Sequence, residues 1–224
     1  KDRYSKEMIA ASRNLLFGPA GEAADIEFIA APEAPPRIVR LPYSLWSGSW
    51  SKPIGHFPAL PLEFETSKRQ DVIVVRFNYF AVDLLQPILD TLMDAKSLKG
   101  IVFDLRGNRG GMGFMANGIA GRMSGKPFNM GTMLLREGEI HFRVHPQPNP
   151  YTGPVAVLID GFSASTAEIF AAGLKEANRA RLFGATSMGV ALPSRFVRLS
   201  NGMVFQQAIA DLVTPSAVTR HVNS

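Results

Sequence analysis

Cysteine is absent from the 224 residues, which excludes disulfides, thiolate nucleophiles and cysteine-ligated metals, and leaves the redox compartment open. Long hydrophobic runs are missing as well. No apolar stretch reaches the ~18 residues a membrane-spanning helix needs, and no basic-then-apolar segment of the signal-peptide kind opens the chain. Lys1 is not an initiator methionine, so the N-terminus reads as cut or processed. Blocks of like charge are also lacking. The formal charge of +5 comes from scattered arginines rather than a stripe or patch, and nucleic acid is therefore not expected as a partner. Histidine is scarce: the four are His56, His141, His145 and His221. None stands in a helical His-x-x-x-His context with a carboxylate, so neither metal nor cofactor is expected. His141 and His145 are four apart, but Ile140 to Val144 alternates like a strand, and the pair reads as exposed strand histidines on one face.

What is present is ordinary for a globular protein, with 46% hydrophobic and 19% charged residues, enough for one large domain or slightly more. Residues 4–17 have helical spacing through Met8, Ile9, Leu15 and Leu16 and stop at Gly18-Pro19. Two short strands are expected at 26–30 and 38–41, around the Pro-rich turn of 32–36. Residues 43–70, with Trp46, Trp50 and several Pro and Gly, have no clear period and read as a connector. From Asp71 the pattern changes. Apolar runs at 72–77, 101–105 and 155–159 alternate with helical segments at 82–95, 115–123 and 166–178, and Arg181 begins a further strand. Such runs, buried on both faces and separated by helices, predict a mainly parallel sheet of βαβ units, an α/β fold. Asn201-Gly202 between 196–200 and 203–205 is a strong hairpin signal. Met112, Met115 and Met123 read as core filling.

Two segments after the buried strands carry chemistry. Asp104-Leu105-Arg106-Gly107-Asn108-Arg109-Gly110-Gly111 falls beyond a strand's carboxyl end, where ligands bind in open α/β sheets. Paired glycines let backbone amides approach a ligand closely. Those donors suit an oxyanion or a phosphate equally, and a plain tight turn explains them too, although neither Gly-x-Gly-x-x-Gly nor the Walker pattern is present. The second segment, Gly161 to Phe170, puts Ser165 at a strand-to-helix junction, beside the positive end of the helix dipole. The amide of the next residue is free in a helix's first turn. Ser165-x-x-Glu168 is equally a capping box that needs no catalysis.

In combination these pieces resemble the tail-specific, or C-terminal processing, protease family. The resemblance rests on Asp104-Leu105-Arg106, Asn108, Gly110-Gly111, Ile159-Asp160, Ser163-Ala164-Ser165, Glu168-Ile169-Phe170, Gly184-Ala185-Thr186, Leu199-Ser200-Asn201-Gly202 and Thr214-Pro215-Ser216, in order over about residues 70–217. Leu15 to Leu41 resembles the end of the PDZ domain that precedes this core in the family. The resemblance implies a crotonase-like core over 71–224, a connector at 43–70 and the C-terminal part of a PDZ-like domain at 1–42. It also implies a serine endopeptidase acting on unstructured or C-terminal polypeptide segments, with Ser165 as nucleophile and the backbone N–H groups of Gly111 and Thr166 as oxyanion donors. A polypeptide substrate and a periplasmic or secreted location follow from the same likeness; the oligomeric state does not.

The pattern departs from the family in one respect. One branch uses a Ser–Lys dyad, with its lysine in a Phe-Gly-Lys-Gly segment; here the matching stretch is Ser187-Met188-Gly189-Val190, and Val190 takes the lysine's place. Lys175 lies ten residues from Ser165 along the helix, about 15 Å at 1.5 Å per residue, too far to accept its proton. The tricorn-like branch uses histidine and glutamate instead. Its histidine lies upstream of the PDZ domain and its glutamate follows the motif aligned near the end of this chain, so a fragment spanning 1–224 would lack both. His56 is the local substitute as base, and an exposed residue of the connector is the plainer reading of it. His221 lies near the terminus. Two other functions compete: a degenerate protease core that binds peptides without cleaving them, and a crotonase-type acyl-CoA enzyme, which would not need the Ser163-Ala164-Ser165 segment.

Overall fold

The computed structural model describes residues 21–44, 47–55, 57 and 59–214. The helix expected over 4–17, His56, His221 and Pro215-Ser216 lie outside the described residues. The chain divides into two compact units, 1–47 and 48–224. In the first, β1 (Ala23–Phe28) pairs antiparallel with β2 (Arg37–Pro42), with Phe28 opposite Arg37. The Pro-rich stretch between them makes the turn, as its composition predicts.

The second unit is built on a five-stranded sheet. In chain order its strands are β3 (Phe64–Arg69), β4 (Val72–Phe77), β5 (Gly100–Asp104), β8 (Val155–Ile159) and β9 (Arg181–Gly184), and they lie side by side in that same order. β3 runs antiparallel to β4, and the other pairs are parallel. Helices α1 (Val82–Asp94), α2 (Gly113–Gly121) and α3 (Thr166–Glu176) make the crossovers. The mixed α/β architecture with a mainly parallel sheet is therefore observed. β3 falls inside 43–70, where no strand was expected. As an edge strand carrying Lys68 and Arg69 it has no apolar period to read, because charge on an edge blunts further pairing.

The helices bury what their spacing offers. α1 turns Leu84, Ile88 and Leu92 inward at intervals of four, the stripe of a surface helix. α3 is buried on nearly every side, from Thr166 and Ala167 through Phe170 to Leu174. Phe77, Phe80, Phe103 and Phe170 form a chain of ring contacts with centroids 5.0, 5.6 and 5.3 Å apart, all at most 1% exposed, so that α3 is keyed to the ends of β4 and β5. Met115 and Met123 are fully buried and Met112 packs against the core.

A second sheet was only partly foreseen. β6 (Phe128–Leu135) lies between β7 (Gly138–Val144) and the short β12 (Asp211–Val213), antiparallel to both. β7 contains the expected strand around Ile140. His141 lies in it and His145 just after it, and both are exposed. β10 (Ser194–Arg198) and β11 (Val204–Ala208) form the hairpin expected around Asn201-Gly202. α2 begins two residues before its expected start.

Candidate active site

The parallel pairing of β5 with β8 brings the loops that leave their carboxyl ends, 105–111 and 160–165, together. The two are tied by several direct bonds. The Gly107 amide donates to Asp160 Oδ1 at 3.0 Å, the Ser163 hydroxyl donates to the Leu105 carbonyl at 2.7 Å, and the Ala164 amide donates to the Asn108 carbonyl at 2.9 Å. The Thr166 hydroxyl donates to the Gly111 carbonyl at 2.7 Å. Asn108 is fully buried. Its Nδ2 donates to the Phe77 carbonyl at 2.8 Å, while its Oδ1 accepts from the Gly110 amide at 2.8 Å. One side chain thereby fixes loop 105–111 against the end of β4. A buried amide satisfied at both ends is a rigid joint, since breaking either bond would strand a polar atom.

Ser165 sits where these ties converge. Its backbone is at φ 53° and ψ −120°, a region that costs a non-glycine residue about 1–3 kcal/mol and persists only where the surroundings impose it. From Ser163 to Phe170 it is the one residue that is not buried. The turn thus leaves Ser165 half-buried while its neighbours form core. Ser165 N–H donates to Glu168 Oε2 at 2.8 Å, the reciprocal half of the capping box expected from the sequence.

Glu168 reaches further than a cap. It is 9% exposed, and its Oε1 also accepts from the Ser187 hydroxyl at 2.7 Å and the Gly189 amide at 2.6 Å, while Oε2 accepts from the Val190 amide at 3.0 Å. Four donors on one buried carboxylate make its negative charge tolerable there. Because Ser165 and Val190 bond the same oxygen, the loop 187–190 runs beside the nucleophile candidate. Val190 is 42% exposed. Among the described residues, no lysine or histidine hydrogen-bonds Ser165.

Gly110 and Gly111 press against the serine turn from the other side. A Cβ on Gly110 (φ +90°) would come within 2.7 Å of Ser165 Cβ and 2.8 Å of the Thr166 amide nitrogen. One on Gly111 (φ +131°) would come within 2.5 Å of the Phe80 carbonyl oxygen. Both positions need glycine for conformation and for space. Neither the Gly111 nor the Thr166 amide donates to a described residue. Thr166 opens α3, where first-turn amides lack intrahelical partners.

Beside this loop, Asp104 closes β5. Burial pushes its carboxyl up, but hydrogen bonds from Arg106, with the charges of Arg106 and Arg76, outweigh it and hold the group below the usual carboxylate range. Arg106 grips it with two side-chain bonds, at 2.8 and 2.7 Å, and Arg76 with one at 3.2 Å. Sequence reasoning placed Ser165, Gly111 and Thr166 in two neighbouring loops, and the structure brings all three together. It did not foresee the roles of Asn108, Asp160 and Glu168 as ties between loops. Their polar character within the turns after buried strands and the helix that follows was the available signal. His56 falls outside the described residues.

The same residues fall within a match to a family model: residues 71–222 match peptidase family S41. The chain belongs to this family. It is 26% identical over 160 residues to the carboxy-terminal processing protease CtpA of Bacillus subtilis, covering 69% of this chain and 34% of that protein. It is 28% identical over 137 residues to the tail-specific protease of Haemophilus influenzae, covering 58% of this chain and 19% of that protein. The chain thus spans about a third and about a fifth of these curated relatives. In fold it is similar to the photosystem II D1 C-terminal processing protease, with a TM-score of 0.64 and 20% identity over 90% of this chain and 53% of that one.

Proposed function

We propose that the protein is a serine endopeptidase that cleaves unstructured or C-terminal polypeptide segments through an acyl-enzyme on Ser165. The observation that carries this reading is the strained, half-buried Ser165 flanked by two amides without described partners, those of Gly111 and Thr166. In the reaction Ser165 Oγ attacks the scissile carbonyl carbon and its proton passes to a base. The carbonyl oxygen, now negative, takes hydrogen bonds from the Gly111 and Thr166 amides. The C–N bond breaks as the amine leaves with that proton, and water then hydrolyses the ester to return free Ser165. Fixed donors aimed at the developing charge supply a large part of such a rate enhancement, and losing one typically costs about 10²–10³-fold.

Ser187 to Val190 offers no lysine, and Lys175 stands near the far end of α3. The base is therefore assigned to a histidine, either His56 or one supplied from outside residues 1–224. The proposed organisation keeps 1–42 as the end of a PDZ-like domain, 43–70 as a connector and 71–224 as a crotonase-like peptidase core. A polypeptide partner fits the PDZ-like segment, because such domains bind a peptide as an added strand. A periplasmic or secreted location follows family habit. Among the described residues no helix is long and apolar enough to cross a membrane.

The test is digestion of an unstructured polypeptide by the full-length protein, with fragments mapped by mass spectrometry. Discrete cuts that disappear in Ser165→Ala support the reading. A folded protein that binds the polypeptide and leaves it whole would make it a peptide-binding relative instead.

A further inference from the structure

The hairpin of β10 and β11 is a two-stranded sheet to itself, and its strands differ. β10 is half-buried at Ser194, Phe196 and Val197, and the Phe196 ring meets Phe57 edge-on at 5.0 Å. β11 is exposed at every residue from Val204 to Ala208. The Leu199 amide donates to the Met203 carbonyl at 2.8 Å, and the Ile209 amide donates to the Pro193 carbonyl at 2.9 Å. With Val197 opposite Phe205 and Arg195 opposite Gln207, those bonds set the alternation along the ladder. Met203, Phe205, Gln207 and Ile209 turn their backbone groups toward β10, and Val204, Gln206 and Ala208 turn theirs away. Among the described residues no strand pairs with that outer edge. Two strands alone are marginal in water, and a third gives such a sheet its stability.

A free edge is normally blunted by charge, proline or a bulge, as Lys68 and Arg69 blunt β3. β11 has none of these. Residues 199–210 contain no Asp, Glu, Lys, Arg or Pro, and the register from Ser194 opposite Ala208 to Arg198 opposite Val204 runs without a shift. Instead Met203, Val204, Phe205 and Ile209 are 60%, 47%, 53% and 39% exposed. Apolar side chains grouped in the open on one element mark an interaction surface.

We propose that β11 pairs antiparallel with β11 of a second copy of this chain, across a two-fold axis at Gln206, and joins the two hairpins into one four-stranded sheet. The occupant follows from what that register sets side by side. Met203 meets the partner's Ile209, Val204 the partner's Ala208, Phe205 the partner's Gln207, and Gln206 its own counterpart. Each exposed apolar side chain of the edge gains an apolar or uncharged neighbour, and the two Phe205 rings lie diagonally on one face, within reach of each other. The outward N–H and C=O groups of Val204, Gln206 and Ala208 are satisfied by the same groups of the copy, as a two-fold interface requires. Charge does not oppose the pairing. Arg195 and Arg198 stand on β10, so those of the two copies are three strand spacings apart, ~14 Å, beyond the ~8 Å screening length at physiological salt. So short an edge buries less than the ~1,200 Å² of a standard interface, which makes the dimer weak and reversible. An extended polypeptide would meet the same backbone groups without this side-chain match.

The experiment uses the full-length protein. Sedimentation equilibrium over a rising concentration series gives the dissociation constants of wild type and of Gln206→Lys, which sets two lysines opposite each other. Thermal melting checks that this exposed substitution leaves the fold intact. The expected result is a monomer–dimer equilibrium that the lysine weakens at least ~10-fold. The register is read with cysteine, which these 224 residues lack. Gln206→Cys sets two thiols across a hydrogen-bonded pair, about 5.5 Å apart at Cα and within disulfide range, whereas Arg198→Cys on β10 does not. After mild oxidation, mass spectrometry should find a 206–206 linked peptide in the first variant and no 198–198 peptide in the second. A protein that stays monomeric at every concentration, a dimer unchanged by Gln206→Lys, or a 206–206 link no stronger than the 198–198 link overturns the inference. So does an unstructured polypeptide that binds the monomer and is lost in Gln206→Lys, which would give the edge to a ligand strand.

Discussion

The loop that carries Ser165 and the loop at 187–190 meet at one carboxylate, and they are built in opposite ways. Residues 160–165 grow from a buried parallel strand, and most of their polar groups bond to one another or to loop 105–111. Residues 187–190 have no regular structure, are half-buried or exposed, and are held through Glu168 and a bond from the Met188 amide to the Ser163 carbonyl. The difference teaches which part of the proposed chemistry the described residues are built to supply. In the proposed mechanism, attack and charge stabilisation depend on backbone geometry, and a sheet with two adjoining strand ends would supply that rigidly. Proton transfer depends on a titratable side chain, and the loop beside the serine offers Val190.

The comparison is broken most severely by adding one methyl group to its rigid half. Gly110→Ala puts a Cβ within 2.7 Å of Ser165 Cβ at a backbone φ of +90°. Hydrolysis and covalent labelling of Ser165 should fall by about 10²-fold or more, because both the nucleophile and the neighbouring amide must move. An active Gly110→Ala protein would show that the turn is looser than its contacts imply.

Cutting the link between the halves is the next largest effect. Glu168→Ala orphans the Ser165, Gly189 and Val190 amides and the Ser187 hydroxyl. A loss of about 2–3 kcal/mol in urea unfolding is expected, with Ser165 labelling slowed about 10-fold as its strained backbone relaxes. Glu168→Gln keeps one acceptor oxygen and should recover part of both losses. Equal behaviour of the two variants would mean that charge, not bonding, is what holds the loops.

The smallest effect sharpens the comparison at the foot of loop 105–111. The folded Asp104 carboxyl lies below its unfolded value of about 3.9. Its ionisation therefore stabilises the fold fully above about pH 5, and that contribution is lost as pH falls through the lower folded value. Arg106 and Arg76 are about half exposed, so solvent limits the gain to under ~1 kcal/mol. Asp104→Asn should be slightly less stable than wild type at pH 7 in thermal melts, and the gap should close below about pH 4. A gap that widens on acidification would contradict the assigned cause.

Much of the rigid half was legible before the structure. Val72 to Phe77 and Val155 to Ile159 are strands because β-branched runs bounded by turns have few alternatives, and Gly110-Gly111 and Ser165 announce tight turns at strand ends. The polar strand β3 was not legible, nor was β6, where Gly131 and Asn129 interrupt the apolar run. The ties made by Asn108, Asp160 and Glu168 were hidden for another reason. Each joins segments that become neighbours only once β4, β5, β8 and β9 lie side by side, and Glu168 looked complete as a local cap. Long-range polar contacts leave no period in a sequence.

The central claim is that the fold activates Ser165. Full-length protein and Ser165→Ala are each treated with a fluorophosphonate and read by intact mass. The account predicts one adduct on the wild type and none on the variant. A folded wild type that remains unlabelled, or an equal adduct on Ser165→Ala, would contradict it.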